Sequence, residues 1–122
     1  MRRTSASARP SAQSLAPIFA ALADPTRLRL LHLMAGREVC VCYFAAVLGE
    51  SQPKISRHLA YLRRAGITVA RRDGKWAHYQ IQFPAHPGAA ALLRQTLATL
   101  REDPRMQMDL KQLRESQCVR KA

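Results

Sequence analysis

Two cysteines one residue apart, Cys40 and Cys42, are the residues of this sequence best suited to chemistry. The chain has three cysteines in 122 residues, and two of them lie together in this segment. Thiolates bind soft, thiophilic ions in preference to calcium or magnesium, and the positive end of a helix favours the thiolate form. The pair therefore indicates a site for a soft metal or metalloid ion, and the alternative is a pair of buried structural cysteines.

The local backbone decides whether both sulfurs can bind one ion. Residues two apart share a face in an extended strand but do not face each other on a regular helix. Cys40 ends a short segment that can be extended, and Cys42 falls in the first turn of a predicted helix. Joint binding is therefore expected to distort that turn, and the distortion would reach Gly49 and Ser51, which position the next helix.

That next helix, predicted from Gln52 to Ala65, is apolar on one side and basic on the other. Leu59 and Leu62 fall within about 40° of Ile55 at 100° per residue, so these three residues are expected to anchor the helix to the core. Hydroxyl, amide and basic groups opposite can contact base edges and phosphates in a major groove, whereas an ordinary solvated face is the alternative. The predicted DNA-contacting residues of this helix are Ser51, Gln52, Lys54, Ser56, Arg57, His58, Tyr61 and Arg64.

A hairpin is predicted after that helix, because Asp73-Gly74 separates two runs of residues that favour strands. Arg71, Arg72 and Lys75 are expected to cluster near its tip. A basic hairpin beside a DNA-reading helix can hold phosphates, which adds salt-dependent affinity with little choice of sequence.

The composition limits the class of protein. A chain of 122 residues with 48% apolar but only 6% aromatic residues suits one mainly helical domain. Lys and Arg number 20 against 8 acidic residues, and the net charge of +12 indicates a nucleic-acid partner. No apolar run approaches the roughly 18 residues of a membrane span, and Met1 to Ser14 lacks the core of a secretory signal. A cytoplasmic location is expected, where cysteines serve as ligands or sensors more often than in disulfides.

Apolar periodicity and helix-capping residues predict five helices, over residues 13–23, 25–35, 41–48, 52–65 and 89–101, with a further amphipathic turn or two after Pro104. With the hairpin, they predict a mainly α (α+β) fold, a winged helix-turn-helix with extra N- and C-terminal dimerisation helices and a two-stranded β-hairpin wing. The predicted organisation is a disordered basic arm over 1–12, a DNA-binding and dimerisation domain over 13–103, and a partly helical tail over 104–122.

Three segments together resemble the ArsR family of metalloregulatory transcriptional repressors: LADPTRLRLL (22–31), EVCVC (38–42) and SQPKISRHL (51–59). The wing sequence GKWAHY (74–79) is also similar, and the likeness extends over about residues 13–101. The resemblance implies a homodimer that binds double-stranded operator DNA at an inverted repeat and leaves when an inducer binds. It also implies that the first and fifth helices pair across the dimer through Leu15, Phe19, Leu22, Leu93 and Leu97.

The branch of the family that carries Cys-Val-Cys senses trivalent arsenic or antimony, so the resemblance implies As(III) or Sb(III) as inducer and no catalytic cofactor. The arsenic pattern often has a third cysteine where this chain has Ala45. Cys118, a small thiol, hydroxide or a carbon substituent could complete the site formed by Cys40 and Cys42. A carbon substituent would make the chain a sensor of methylated or aryl arsenicals.

Other inducers and other classes of protein remain as alternatives. Cadmium and lead sensors of the family add cysteines in an N-terminal arm, and zinc and nickel sensors place His and carboxylate pairs on the fifth helix. This sequence has neither feature. A thiol-redox-sensing repressor of the same fold and a basic RNA-binding domain are the further alternatives. An enzyme is not expected, because no Cys-x-x-Cys, Ser-His-Asp set or Gly-rich phosphate loop is present.

Overall fold

The computed structural model describes residues 11–116 and consists, over that range, of six helices and a small antiparallel sheet. In chain order the elements are α1 (Ala12–Leu22), α2 (Pro25–Met34), β1 (Val39–Cys40), α3 (Val41–Leu48), α4 (Gln52–Arg64), β2 (Thr68–Asp73), β3 (Trp76–Ile81), α5 (Pro87–Leu100) and α6 (Pro104–Glu115). The predicted winged helix-turn-helix is confirmed. The predicted helix ends are correct to within two residues, and α3 matches at both ends.

Capping residues explain where the helices that position the site begin and end. Asp24 caps α2, because its Oδ1 accepts hydrogen bonds from the backbone N–H of Thr26 at 2.8 Å and of Arg27 at 3.1 Å. Ser51 caps α4 by accepting from the backbone N–H of Lys54. Between α3 and α4 the backbone reverses at Gly49, whose φ of +67° is the left-handed conformation that glycine adopts without steric cost.

The sheet has the strand order β1-β3-β2, so the wing contains one strand more than predicted. Strands β2 and β3 form the predicted hairpin, but Asp73 pairs with Trp76, which leaves Gly74 and Lys75 as the turn. Strand β1 pairs antiparallel with β3 and sets Cys40 opposite His78. The cysteine segment is therefore hydrogen-bonded to the wing through the sheet.

The core lies between α2, α3, α4 and α5. The predicted anchors of α4, Ile55, Leu59 and Leu62, are each 0% exposed, and this prediction is confirmed. Phe44 and Leu30 are equally buried and belong to the same cluster. Burying such side chains contributes about 1.5–3 kcal/mol each, which fixes α4 against the domain and leaves its opposite face outside.

Helix α6 packs against the helices that precede it in the chain. It contacts α2 and α3, and it buries Met106 and Asp109. Asp109 is 1% exposed and accepts hydrogen bonds from Nε and Nη2 of Arg29, at 2.8 and 2.9 Å. A buried carboxylate is tolerated when a bidentate Arg compensates its lost hydration. Neither the length of α6 nor this pairing over 80 residues was predicted.

Two of the residues predicted at the dimer interface are buried within the single chain. Leu93 and Leu97 are 0% and 7% exposed, and they pack in the hydrophobic core. Their place at an interface stays a prediction. Phe19 is 51% exposed, and Leu15 and Leu22 are half-buried. An apolar periodicity alone does not distinguish the core face of a helix from an interface face.

Candidate functional site

The sulfur atoms of Cys40 and Cys42 lie 3.7 Å apart. Cys40 is the last residue of β1 and the residue before α3, with extended backbone angles of φ −72° and ψ 144°. The extended backbone at Cys40 rotates its side chain towards that of Cys42, which stands in the first turn of α3. The two sulfurs thus meet while α3 keeps its first turn, and the expected distortion of that turn is corrected.

The two cysteines differ in burial and in covalent state. Cys40 is 3% exposed and is a free thiol. Cys42 is half-buried and is disulfide-bonded, contrary to the expectation of reduced thiols. Metal–thiolate bonds of about 2.3 Å span up to about 4.6 Å between two sulfurs, so a separation of 3.7 Å suits one soft ion once Cys42 is reduced.

A cavity of about 330 Å³ lies beside Cys40. Glu38, Tyr43, His78 and Leu113 are among its lining residues. Within residues 11–116, no three His, Cys, Asp or Glu side chains form a group that could hold a metal ion. The third predicted ligand, Cys118, lies outside the described residues. The described part of the chain thus supplies two sulfur ligands and space next to one of them.

Glu38, two residues before Cys40, is tied to the wing by an ion pair. Nε and Nη2 of Arg71 on β2 donate to the two carboxylate oxygens of Glu38, at 3.0 and 2.7 Å. These hydrogen bonds lower the pKa of Glu38. Because the pKa of Glu38 is lowered, the ion pair stabilises the folded chain fully at pH values above the ordinary pKa of a glutamate. This stabilisation is lost as the pH falls through the lowered pKa. Arg71 was predicted to contact DNA, and in this structure two of its guanidinium nitrogens donate to Glu38 instead.

His78 occupies the middle of the sheet, between the cysteine segment and the basic edge of the wing. It pairs in register with Cys40 on one side and with Arg71 on the other. His78 is 7% exposed, and its Nε2 has no hydrogen-bond partner within residues 11–116. The distance from this Nε2 to Oδ2 of Asp73 is 3.7 Å. Strand alternation predicts which face His78 occupies, but only the pairing of β1 places it opposite Cys40.

The outer face of α4 is available to a partner. Arg57 is exposed and has no hydrogen bond or ion pair within the described residues. Lys54 is exposed, and its Nζ forms an ion pair with Oε1 of Glu50 at 3.2 Å. The other predicted contacts that are exposed are Ser51, Gln52, Ser56, Tyr61, Arg64, Arg71, Arg72 and Lys75, and His58 is half-buried. The structure thus places the predicted DNA-contacting residues on the surface of α4 and of the wing.

Arg27 is a positioning residue that sequence reasoning did not assign. Its guanidinium donates to the carbonyl oxygens of Ala20 and Ala21 at the end of α1, at 3.0 and 2.9 Å. The same group lies 4.0 Å from the ring centroid of Tyr61, and its Nη1 lies 3.3 Å from Nδ1 of His58. Arg27 therefore connects α1, α2 and α4. Its guanidinium also covers one side of Tyr61 and of His58, which were both predicted to contact DNA. The sequence offered one signal for a role of Arg27, namely its position in the segment LADPTRLRLL that resembles the ArsR family.

Comparisons with known proteins agree with this geometry. Residues 24–68, which contain α2, α3, α4 and the cysteine pair, match the sequence model of the family described as "Bacterial regulatory protein, arsR family". The fold is also similar to a homodimeric winged helix-turn-helix DNA-binding domain from Mycobacterium bovis, described as a possible ArsR-family transcriptional regulator. The two are 30% identical with a TM-score of 0.61, over 74% of this chain and 81% of that one. The chain belongs to the ArsR family.

Two curated relatives of this ArsR-family chain are regulators named for arsenic resistance. It is 48% identical over 75 residues to the arsenical resistance operon repressor of Escherichia coli K12, over 61% of this chain and 63% of that protein. It is 52% identical over 78 residues to the arsenic resistance transcriptional regulator ArsR1 of Pseudomonas putida, over 63% and 61% of the two chains. The chain thus spans less than two thirds of the length of either relative. In the range that the structure covers, no helix is long and apolar enough to cross a membrane.

Proposed function

We propose that this chain is a homodimeric repressor that binds an inverted-repeat operator in double-stranded DNA and releases it when trivalent arsenic or antimony binds Cys40 and Cys42. The observation that carries the proposal is the 3.7 Å separation of the two sulfurs at the joint between β1 and α3. Sulfur ligands select soft ions. The joint lies between the wing and the helix before α4, so an ion bound there acts on both DNA-binding elements.

The DNA-binding surface of this proposal combines α4 and the wing. Helix α4 would lie in the major groove, because its buried face is apolar and its outer face carries hydroxyl, amide and guanidinium groups. Gln52 and Arg57 are suited to base edges, and Arg72 and Lys75 near the hairpin turn are suited to phosphates. The net charge of +12 supports binding to a polyanion whose strength falls as salt rises.

The coupling between the two sites would run through the wing. Strand β1 carries Cys40 and pairs with β3, and Glu38 beside it holds Arg71 on β2. An ion bound to both sulfurs would hold β1 in a fixed position against α3, and the sheet would pass that constraint to the hairpin. The wing then no longer fits the DNA while α4 occupies the major groove. This route replaces the expected unwinding of α3.

The dimer would form through the exposed apolar surface of α1 together with one flank of α5. Leu15 and Leu92 line a common apolar cavity of about 200 Å³, which places that flank beside α1. Phe19, at 51% exposure, extends the same surface, and Leu22 continues it. A two-fold dimer presents two copies of α4 about one DNA turn apart, so half-sites separated by roughly 10 base pairs are expected. The homodimeric M. bovis domain of similar fold supports the formation of a dimer.

A second group of inducers is supported by the cavity beside Cys40. A methylated or aryl arsenical needs only two thiolates, and its carbon substituent would fit next to Tyr43 and Leu113 in a space of about 330 Å³. Cadmium or lead would need further ligands, which Cys118 could supply in part. A thiol-redox sensor would use the same cysteines without an ion.

The test is operator release measured by fluorescence anisotropy of inverted-repeat promoter DNA with reduced protein. Arsenite, antimonite, methylarsenite, phenylarsenite, cadmium and zinc are titrated separately, and peroxide is added in a run with a metal chelator. Release by arsenite or antimonite supports the proposal, and release by the organic arsenicals alone assigns the second group. Binding that no ion and no oxidant changes would overturn the sensor assignment.

Variants of the cysteines define the site in the same assay. Cys40→Ser is expected to bind the operator normally and to remain bound in arsenite. Cys118→Ser is the matched substitution of the third cysteine. Normal release from Cys118→Ser would mean that Cys40 and Cys42 suffice, and lost release would add Cys118 as the third ligand. Normal release from Cys40→Ser would contradict the assignment of the site.

A further inference from the structure

We propose that this protein has a second ligand site, a recessed groove that binds a small organic anion with an apolar body. The groove lies between the end of α2, the segment after β3, and helices α5 and α6, and it encloses about 870 Å³. Sites for small molecules usually measure about 300–1,000 Å³ and combine apolar walls with a few polar groups. Neither cysteine and no residue of α4 lines this groove, and Arg37 lines both the groove and the cavity beside Cys40.

The charged groups of the groove all have the same sign. Arg37, Arg94 and Arg101 line it, and no Asp or Glu is among the lining residues. None of the three forms an ion pair within residues 11–116. Burial lowers the pKa of Arg37, whose Nη1 donates to the carbonyl oxygen of Leu33 at 2.9 Å. Three uncompensated guanidinium groups around one recess favour a carboxylate, sulfonate or phosphate group.

A buried histidine at the groove supplies the independent observation. His32 lines the groove, is 3% exposed, and its Nδ1 has no hydrogen-bond partner within the described part of the chain. Burial lowers the pKa of His32, and Arg37 lowers it further, so the imidazole is held neutral. A buried polar nitrogen without a partner costs free energy that a ligand oxygen can recover by hydrogen bonding.

The remaining walls are apolar and suit a hydrocarbon or aromatic body. Ile81, Phe83, Leu97 and Leu110 line the groove. Phe83 is 44% exposed, and the guanidinium of Arg94 lies 5.6 Å from the centroid of its ring. An aromatic acid could stack against Phe83 while its anionic group meets the arginines. The class of ligand is therefore an amphipathic anion rather than a free inorganic ion.

Other occupants fit the groove less well. On α5, at 100° per residue, Arg94 and Ala98 lie on one flank of the buried Leu93, and Leu92 lies on the opposite flank, which faces α1. The proposed dimer surface is therefore on the other side of the helix. A two-fold contact through the groove would bring cations against cations. The terminal segments of the chain, with Arg2, Arg3, Arg9, Arg120 and Lys121, carry the same positive sign.

The test is isothermal titration calorimetry of the full chain with 2-naphthoate, with neutral 2-naphthylmethanol and with inorganic phosphate. Amide chemical shifts in nuclear magnetic resonance spectra locate the binding. Naphthoate is expected to bind one per chain, at least about tenfold more tightly than either other probe, and to shift amides of α5 and α6. Arg94→Gln and Arg101→Gln should each weaken naphthoate about tenfold, whereas Lys111→Gln, an equal loss of charge on the exposed side of α6, should not.

Three results would overturn the second site. Equal affinity for the neutral alcohol would show an apolar surface without an anion site. Equal weakening by Lys111→Gln would show a general effect of net charge, and shifts confined to α4 and the wing would place the anion on the DNA-binding surface. Circular dichroism of each variant confirms that it is folded, and Arg94 is exposed, so its replacement leaves the core unchanged.

Discussion

The cysteine segment 38–42 runs into the start of α3, and helix α4 follows the end of α3, yet the two are held in different ways. Helix α4 is held in place by the apolar side chains that recur along its inner face. Ile55, Leu59 and Leu62 on that face are fully buried, and the polar groups between them point outward. The cysteine segment is fixed by partners distant in the chain, through the pairing of β1 with β3 and the ion pair of Glu38 with Arg71. Helix α4 is anchored by hydrophobic burial, whereas the cysteine segment buries Val39 and Val41 and is in addition tied to the wing by hydrogen bonds.

The difference suits the two roles that we propose. A helix that carries DNA contacts must keep its orientation, and burial of large aliphatic side chains gives it a rigid base. A segment that responds to an ion must be able to move, and exposed ion pairs and short strands are easily displaced. The following predictions test this contrast, beginning with the largest expected effect.

Removal of a core anchor should show how firmly α4 is held. Leu59→Ala is expected to lower the free energy of unfolding by about 2–5 kcal/mol, because it leaves a cavity where a 0% exposed side chain stood. Urea unfolding followed by circular dichroism measures the loss. Arg63→Ala, an exposed site on the same helix, serves as control and should change stability by no more than about 0.5 kcal/mol. Similar losses in both variants would mean that burial does not anchor α4.

Removal of an outward group of α4 should affect DNA and not the inducer. Arg57→Ala is expected to weaken operator binding about tenfold or more, because an Arg contact to a base or phosphate contributes about 1–3 kcal/mol. The concentration of arsenite that releases half of the bound DNA should stay the same. Anisotropy titrations at fixed salt measure both quantities, with Lys111→Ala as the control for loss of one charge. An unchanged operator affinity would remove Arg57 from the contact surface.

Removal of the ion pair should affect the coupling and not the binding of either partner alone. Glu38→Gln is expected to reduce the ratio of operator Kd with and without saturating arsenite about fivefold or more, because β1 loses one of its two links to the wing. Arg71→Gln should give the same reduction, and the double variant should add nothing to it. Glu102→Gln, an exposed carboxylate at the end of α5, is the control. A full response of Glu38→Gln to arsenite would mean that coupling runs only through α3.

The smallest effect is expected at His32, beside α5 and α6 and away from both elements. Burial lowers its pKa, with a further lowering from Arg37 and Arg101 and an opposing effect of Asp109 and Asp103. The unfolded chain then binds the proton more readily, so the stability that His32 contributes is complete above its unfolded pKa of about 6.5 and falls as the pH drops below it. His32→Leu should therefore show a smaller decrease of Tm than the parent between pH 7 and pH 5.

A matched variant separates this effect from general acid destabilisation. His86→Leu removes a half-buried histidine at the start of α5, where its side chain caps the helix. Thermal unfolding by circular dichroism at each pH measures the slopes. Equal slopes for the parent and His32→Leu would show that His32 is as readily protonated in the folded chain as in the unfolded one.

Local patterns in the sequence were sufficient for much of the fold. The periodicity of α4, the capping residues Asp24 and Ser51, and the Asp73-Gly74 signal depend on neighbours within a few positions, and their predictions are confirmed with small shifts at the ends. The exposure of Arg57 follows from the same periodicity. Whether that face binds DNA stays a prediction, since exposure is necessary for contact and does not establish it.

The sequence by itself determined the helices, the hairpin and the closeness of two cysteines, because each depends on residues close in the chain. Only the tertiary structure decided that β1 joins the wing, that Glu38 meets Arg71, and that Arg29 binds Asp109 80 residues away. It also decided that Leu93 packs inward while Phe19 stays exposed. The reason is that apolar periodicity predicts that a side chain will be buried. Which residues bury it depends on the packing of the whole chain.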